Sequence, residues 1–303
     1  MRLRHIEVFN AVYTTGSVTR AAAVLNVSQP AVSKVLAHAE QQLGYRLFER
    51  VRGKLVPTAE ATRLYVNVAE VNASLDRLRH VADNLRNAEQ GRIRVAATPA
   101  LGIELLPAAI AGYRSVHPDV FFSVETRHHD GICTALLESG VDVGFAFDPD
   151  ARPGIASEAL GSGSFFVLAP ADLRLPDRES LSVRDLEGLP YISLDRRGPL
   201  GRLLSTHIES SGAELQPIAW AETYQVAKSL VAQGVGVMIA DQVTAFCGGC
   251  QGLRVWPLEP GLRFRVAALH LESTPLSLVS RDFVDRLGSR VASFLKRTEG
   301  LRI

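Results

Sequence analysis

Polar and basic side chains lie near the start of the sequence at spacings suited to DNA recognition. Gln29 and Lys34 fall on the outward side of a predicted helix; glutamine can bind adenine bidentately, and lysine can reach guanine acceptors or phosphate. A turn around Gly53 then carries further cations, which are suited to backbone phosphate. The candidate DNA-binding residues are Ser28, Gln29, Pro30, Ser33, Lys34, His38, Arg50, Arg52 and Lys54.

Two short predicted helices position these residues. Ser17 can cap a helix over residues 18–25, and Ser28 can cap a second helix that runs to about Gln42. Helices joined by about three residues form the helix-turn-helix, whose second helix enters the major groove of DNA. Two extended runs around Gly53 predict a basic wing beside that helix. An ordinary small helical domain with solvated charges is the alternative.

Composition limits the class of protein. The 303 residues are 47% hydrophobic and 21% charged, which suggests about two domains and excludes a disordered or fibrous chain. No run approaches the roughly 18 uncharged apolar residues of a membrane span, and three cysteines cannot form a disulfide framework, so we expect a cytoplasmic protein. The net charge is +1, yet residues 1–57 carry eight Lys or Arg against three acidic residues. This basic segment favours a polyanionic partner.

Several motifs occur in the order and spacing of one known family. They are Ser17 with Ala21-Ala22 and Leu25, SQPAVS at 28–33, LFER at 47–50, and PT at 57–58. This stretch resembles the N-terminal winged helix-turn-helix of LysR-type transcriptional regulators. Ala39 and Lys34 depart from the family pattern, where a larger aliphatic residue and Arg or Gln are usual. The LFERVRGKL, YISL and ETYQ segments are similar to the lysine-biosynthesis and opine-catabolism regulators of that family.

The resemblance implies a function and a set of partners. Members of this family bind inverted-repeat operators in double-stranded DNA as homodimers or homotetramers, under the control of a small effector, and they are not enzymes. No cofactor is expected, and RNA polymerase is a further candidate partner. Two rival classes are an enzyme with a DNA-binding head, for which the sequence offers no nucleophile–base set, and an architectural DNA binder without a ligand.

A long helix is predicted after the basic segment. From Thr58 to about Ala88 the sequence has no Pro or Gly, and apolar residues recur at alternating spacings of four and three: Leu64, Val68, Val71, Leu75, Leu78, Ala82 and Leu85. This pattern favours pairing with a second copy, as in the family that the chain resembles; packing against the chain's own body is the alternative. We therefore expect a DNA-binding domain at 1–57, a linker and dimerisation helix at 58–90, and an effector-binding domain at 91–303.

Strands and helices alternate through the rest of the chain, which predicts parallel α/β layers. The expected fold class is α+β multidomain, with a winged helix-turn-helix, a linker helix and a two-lobed α/β effector domain that the resemblance likens to periplasmic binding proteins. Lobe I takes residues 91–163 and 265–303, and lobe II takes 164–264. Predicted strands include 92–97, 120–125, 141–147, 165–169 and 263–271, and predicted helices include 101–115, with Pro107 as an irregularity, 132–139 and 183–187.

Residues that follow the strands are candidates for an effector cleft between the lobes, because open α/β sheets bind ligands beyond the carboxyl ends of their strands. They are Thr98, Ala100, Arg127, His128, Phe147, Asp195, Arg196, Thr223 and Tyr224. Arg127 and Arg196, if both face inward, would suit a carboxylate, and the subgroup resemblance then favours an amino acid or a related acid. In the alternative interpretation Thr98 and Thr223 are helix caps, and Arg127 and His128 lie in a solvated loop.

The pair Cys247 and Cys250 has the spacing of a redox motif or half a zinc site. A structural zinc needs about four ligands, and this motif offers two. His128-His129 lacks a second histidine one helical turn away, and the sequence has no Gly-rich phosphate loop and no hydrolase or metalloprotease motif. No metal site is therefore expected, and a redox role of the two cysteines stays open.

Overall fold

The structure, a computed structural model, describes residues 1–51, 54–86, 91–194, 196 and 198–303, with the backbone alone at 54, 73, 76, 77 and 79–86. The chain forms two compact units, Met1–Asp83 and Asn84–Ile303. The elements of the first unit are helices α1 (Leu3–Thr15), α2 (Val18–Val24) and α3 (Gln29–Leu43), strands β1 (Phe48–Val51) and β2 (Lys54–Pro57), and the start of helix α4 (Ala59–Arg86). This arrangement confirms the predicted winged helix-turn-helix.

Local sequence sets the boundaries of the first helices. Gly16 and Gly44 adopt left-handed backbone, with φ of 62° and 77°, and end α1 and α3. The Ser17 hydroxyl accepts a hydrogen bond from an amide in the first turn of α2, as predicted. Ser28 stands at the N-cap position of α3, but its side chain makes no capping hydrogen bond, so the predicted capping role of Ser28 is wrong.

Aromatic packing joins α4 to the core of the first unit. Phe9 is fully buried and its ring contacts those of Phe48 and Tyr65, with centroids 5.8 and 6.4 Å away. Tyr13 stacks on Tyr65 at a centroid distance of 3.9 Å. These contacts place one side of the first turns of α4 inside the core.

The heptad positions of α4 have two environments. Leu64 and Val68 pack in the core of the first unit, whereas Val71 and Leu78 are 40% and 65% exposed. The side chains of Ala82 and Leu85 lie outside the described residues. The core of the first unit therefore accounts for the beginning of the seam, and pairing through the rest stays a prediction. None of the helices in the described part of the chain is long and apolar enough to cross a bilayer.

Lobe I of the second unit is a sheet covered by helices. Its elements are β3 (Arg92–Ala97), α5 (Pro99–Ile103), α6 (Leu105–Arg114), β4 (Phe121–Thr126), α7 (His129–Leu137), β5 (Val143–Phe147), β11 (Arg263–Leu271) and α11 (Leu278–Thr298). Strand β3 pairs in parallel with β4 and β5, while β11 is antiparallel to β5. Because the parallel strands run side by side, the residues that follow them lie along one edge of the sheet.

Lobe II lies between the two sequence segments of lobe I. Its elements are β6 (Ile155–Pro170), a 3-10 turn (Val183–Leu186), β7 (Pro190–Leu194), α8 (Pro199–Ser211), β8 (Gln216–Ala221), α9 (Tyr224–Ala232), β9 (Met238–Asp241), α10 (Gln242–Phe246) and β10 (Leu253–Pro257). Strand β6 belongs to both lobes, since residues 155–164 pair with β11 and residues 165–170 pair with β9 and β10. Strands β7 and β8 form a separate parallel pair.

Several elements differ from the sequence predictions. The helix predicted over 101–115 breaks at Glu104, whereas Pro107 sits in the first turn of α6, where its missing amide hydrogen costs no helical bond. The helix predicted at 183–187 is a 3-10 turn. The first half of β6 was not predicted because Gly161 and Gly163 interrupt its pattern; a Cβ at Gly163 would lie 2.5 Å from the Phe264 ring, so close packing requires the glycine.

Candidate functional site

The predicted base-reading residues lie on the solvent-accessible part of α3, outside its buried stripe of Val32, Leu36 and Ala39. The Gln29 amide donates to Ser33 Oγ at 3.0 Å, which holds these two side chains together. All the predicted residues of this helix are at least partly exposed, namely Ser28, Gln29, Pro30, Ser33, Lys34 and His38. This side of α3 therefore offers donors and acceptors to a DNA groove.

The hairpin of β1 and β2 is tied to α3 by Glu40, which the sequence analysis missed. Glu40 Oε1 accepts hydrogen bonds at 2.7 and 3.3 Å from the two backbone amides that lead into β1. Arg50 is exposed on β1, opposite Leu55 of β2. Arg52 and the side chain of Lys54 lie outside the described residues. A carboxylate eight residues before a strand gave no recognisable sequence signal for these hydrogen bonds.

A cavity of about 310 Å³ lies between the two lobes of the second unit. Its walls are the residues that follow β3 and β5 and the first residues of α7, α8 and α9. Helix N-termini present unpaired amide hydrogens, so three helices direct positive potential at this space. Six predicted effector residues line it: Thr98, Ala100, His128, Phe147, Thr223 and Tyr224.

The two arginines predicted for the effector site, Arg127 and Arg196, lie outside the cavity lining. Arg127 Nε contacts Glu125 Oε2 at 2.7 Å, and Arg196 pairs with Glu209 and donates to Ser205 Oγ at 2.8 Å. Arg196 lines a separate groove beside α8 rather than the cavity. Each guanidinium is held by a carboxylate of its own lobe, so the expected inward-facing pair is not formed. Predicted Asp195 lies outside the described residues.

Charged and titratable groups face one another across the cavity, and of these the sequence analysis named only His128 as a candidate. Arg202 of lobe II pairs with Asp150 of lobe I, and His128 Nε2 lies 3.5 Å from Glu222 Oε1. Asp130 also lines the space. Arg202 belongs to the first turns of α8, and the break at Gly198-Pro199 before that helix was the available sequence signal. The cavity thus contains both cationic and anionic side chains.

Two residues that line the cavity have a hydroxyl group that is buried and has no hydrogen-bond partner among the described residues. These groups are Thr98 Oγ1 and the Tyr224 hydroxyl. Burial, with Asp241 and Tyr191 nearby, raises the pKa of Tyr224 well above its ordinary value, so the phenol keeps its proton at neutral pH. By contrast, Thr223 Oγ1 accepts the Val226 amide at 3.4 Å and caps α9. The cap interpretation therefore holds for Thr223 and fails for Thr98.

Comparison with known proteins identifies the two units. The family model "LysR substrate binding domain" matches residues 86–292, and the model "Bacterial regulatory helix-turn-helix protein, lysR family" matches residues 3–62. The chain belongs to the LysR family of transcriptional regulators. Members of the family bind operator DNA and small effectors, oligomerise, and are regulators rather than enzymes, so this chain is a DNA-binding regulator with an effector domain.

Individual relatives of this LysR-type regulator agree with that assignment. The regulator DgcR of Pseudoalteromonas sp is 43% identical over 95% of this chain and 99% of its own length. The activator LysR of Escherichia coli K12 is 31% identical over 95% of this chain and 92% of its own. Full-length CbnR, solved in complex with its target DNA, aligns with a TM-score of 0.65 at 18% identity over 98% of this chain and all of that one.

The two cysteines of the CxxC motif in this LysR-type regulator lie in a turn after α10. Burial raises the pKa of the Cys247 thiol to about 12, and the carboxyl group of Glu104 acts in the same direction. A thiol with this pKa is protonated at neutral pH, which disfavours both metal ligation and thiol exchange. The Cys250 thiol donates to the Ala245 carbonyl at 3.4 Å. These contacts favour a packing role for the motif.

Proposed function

We propose that this LysR-type regulator senses an amino acid or a related carboxylate in the cavity between its lobes. We assign DNA reading to α3 and the β1–β2 hairpin, acting on an inverted-repeat operator. Residues 1–57 serve DNA binding, 58–90 form the linker helix, and 91–303 form the effector domain. Pairing through α4 gives homodimers that assemble into homotetramers, with RNA polymerase as a further partner in the cytoplasm.

The buried hydroxyls of Thr98 and Tyr224 carry the proposal for the effector. An unpaired buried polar group costs about 1–3 kcal/mol, so a polar ligand that reaches these two hydroxyls would gain affinity from them. Three helix N-termini and Arg202 surround the same space and favour a carboxylate. The acidic groups of Asp130, Asp150 and Glu222 are suited to an ammonium group. A ligand with both charges, such as an amino acid, matches this lining.

The Arg202–Asp150 ion pair and the His128–Glu222 contact across the cavity support a link between effector binding and lobe closure. Arg202–Asp150 and His128–Glu222 each join one lobe to the other. A ligand that competes for these groups changes the relative free energy of open and closed arrangements. The sequence continuity of β6 through both lobes makes this strand the element about which the lobes would move.

Calorimetry on the full-length chain with a panel of amino acids, small carboxylates and uncharged aromatics tests the effector class. We expect one or more amino acids or carboxylates to bind, and Thr98→Val to weaken that binding about tenfold, because a hydrogen bond to a charged group is worth about 1.5–3 kcal/mol. Thr134→Val is the matched control, since Thr134 is exposed on α7 and does not line the cavity. Binding of uncharged aromatics alone, or equal losses in both variants, would contradict the proposal.

A further inference from the structure

Two histidines meet at the junction of α1 and α3. His5 of α1 is only 5% exposed, whereas His38 is exposed on α3. His5 Nε2 lies 3.2 Å from His38 Nδ1, and the rings meet edge to face with centroids 5.0 Å apart. The exposed histidine of the predicted DNA-reading helix is therefore held by a buried histidine of another helix.

The hydrogen bonds around His5 define the position of the ring protons. The backbone amide of Arg2 donates to His5 Nδ1 at 3.2 Å, so this nitrogen is an acceptor. A neutral imidazole then carries its proton on Nε2, and His5 donates to His38 Nδ1. It follows that neutral His38 carries its own proton on Nε2, the ring nitrogen directed away from His5. This assignment comes from the network of donors and acceptors.

The surroundings of His5 disfavour a positive charge on its ring. Burial is the largest cause that lowers the pKa of His5, followed by the charges of His38, the N-terminal amine and Arg2. A proton added to His5 Nδ1 would face the Arg2 amide hydrogen, and a proton added to His38 Nδ1 would face the His5 N–H. In each case two N–H groups would point at one another. With His5 Nε2–H donating to His38 Nδ1, the Nε2–H of His38 is the donor that faces away from the pair.

We propose that His5 is a positioning residue for DNA recognition, which holds His38 so that its Nε2–H is presented to the DNA as a fixed hydrogen-bond donor. The acceptors suited to such a donor are guanine O6 or N7, adenine N7, and phosphate oxygen. A donor with a fixed direction loses less conformational freedom on binding than a free side chain. This inference rests on the proposed placement of α3 in the groove of DNA.

The test measures binding of the full-length chain to a labelled duplex that carries the intergenic region beside its own gene, and to an unrelated duplex. His5→Phe keeps a buried ring but has no donor, and we expect it to weaken operator binding about five- to tenfold, the value of one hydrogen bond. His5→Gln retains an N–H donor for His38 Nδ1, and we expect near-normal affinity. In a His38→Ala background, His5→Phe should produce no further loss, because the two residues act through one contact.

The results separate this inference from the proposed function. Additive losses for His5→Phe and His38→Ala, or no rescue by His5→Gln, would show that His5 acts only on folding and would overturn the inference.

If Gln29→Ala weakens operator binding and the histidine variants do not, α3 reads DNA without the His5–His38 pair. If His38→Ala weakens operator and unrelated duplex equally, the acceptor is phosphate; a loss on the operator alone indicates a base. Should His5→Phe fail to fold, His5→Gln against His38→Ala still decides the outcome.

Discussion

At the scale of single residues, Thr98 and Thr223 show how one residue type takes two roles. Both follow a strand and precede a helix, and both line the cavity. Thr223 turns its hydroxyl to the amide of Val226, whereas the Thr98 hydroxyl stays buried without a partner among the described residues. The difference is a side-chain rotation, which residue type and spacing do not determine. A polar atom left unpaired in this way identifies where a ligand would gain most.

Two tyrosines, one with a paired hydroxyl and one without, test how hydroxyl pairing affects the free energy of unfolding. Tyr113 donates its hydroxyl to the Val279 carbonyl at 3.2 Å, while the Tyr224 hydroxyl is unpaired. We expect Tyr113→Phe to lower the free energy of unfolding by about 1 kcal/mol and to leave effector affinity unchanged. Tyr224→Phe should leave the unfolding free energy of the ligand-free protein equal or higher and weaken effector binding about tenfold. Urea unfolding and calorimetry measure the two effects; equal behaviour of the variants would refute the assignment.

The sequence predicted which residues line the candidate site better than it predicted where their charged side chains point. Six effector candidates line the cavity because they follow strands, a rule of topology that sequence order reveals. Arg127 and Arg196 do not, since Glu125 and Glu209 hold them outside the cavity lining. Arg202 takes that place, and its position depends on where α8 begins. The sequence pattern did not show which carboxylate each arginine would pair with.

At the scale of elements, regular periodicity was predicted well and irregular backbone was not. The bounds predicted for β3 and β11, at 92–97 and 263–271, are those of the structure. The break between α5 and α6 falls at Glu104, whose φ of −132° leaves the helical region. Pro107 lies three residues later and cannot donate to the carbonyl of residue 103, so a continuous series of helical hydrogen bonds is excluded here. The early part of β6 carries glycines that tight packing requires, and these read as loop signals. Tertiary contacts, absent from local sequence, explain the strand conformation at these glycines.

The exposed part of α4 gives a prediction for assembly. Leu78 is 65% exposed and lies on the heptad seam, whereas Val66 is 63% exposed and lies off it. Burying a leucine is worth about 1.5–3 kcal/mol, so Leu78→Glu should raise the dimer dissociation constant at least tenfold. Val66→Glu should leave it unchanged. Sedimentation equilibrium measures both constants, and an equal effect of the two substitutions would show that the seam is not the paired surface.

At the scale of the whole molecule, the second unit depends on its last helix. Six apolar side chains of α11 are buried against the rest of this unit: Phe283, Val284, Leu287, Val291, Phe294 and Leu295. At about 1.5–3 kcal/mol each, their burial matches or exceeds the ~5–15 kcal/mol stability of a typical domain.

Removal of residues 278–303 should therefore unfold the second unit. Loss of the emission characteristic of buried Trp256 would report this unfolding. The first unit should keep its own melting transition, because it has a separate core. Removal of 299–303 is the control, since it takes away the two backbone bonds between Val255 and Ile303 and should cost about 1–3 kcal/mol. A native Trp256 signal in the longer deletion would contradict this dependence.

The insertion of lobe II between the two segments of lobe I has a consequence for synthesis. A ribosome completes β3, β4 and β5 early, but their neighbour β11 emerges only after all of lobe II, several seconds later at about 5–20 residues per second. The DNA-reading head, by contrast, is encoded first and has its own core. Each newly made molecule therefore passes through an interval in which its head is finished and its sensor still lacks β11 and α11. During this interval the edge of β5 has no partner strand, and such an edge is open to pairing with other chains unless the translation machinery or chaperones cover it.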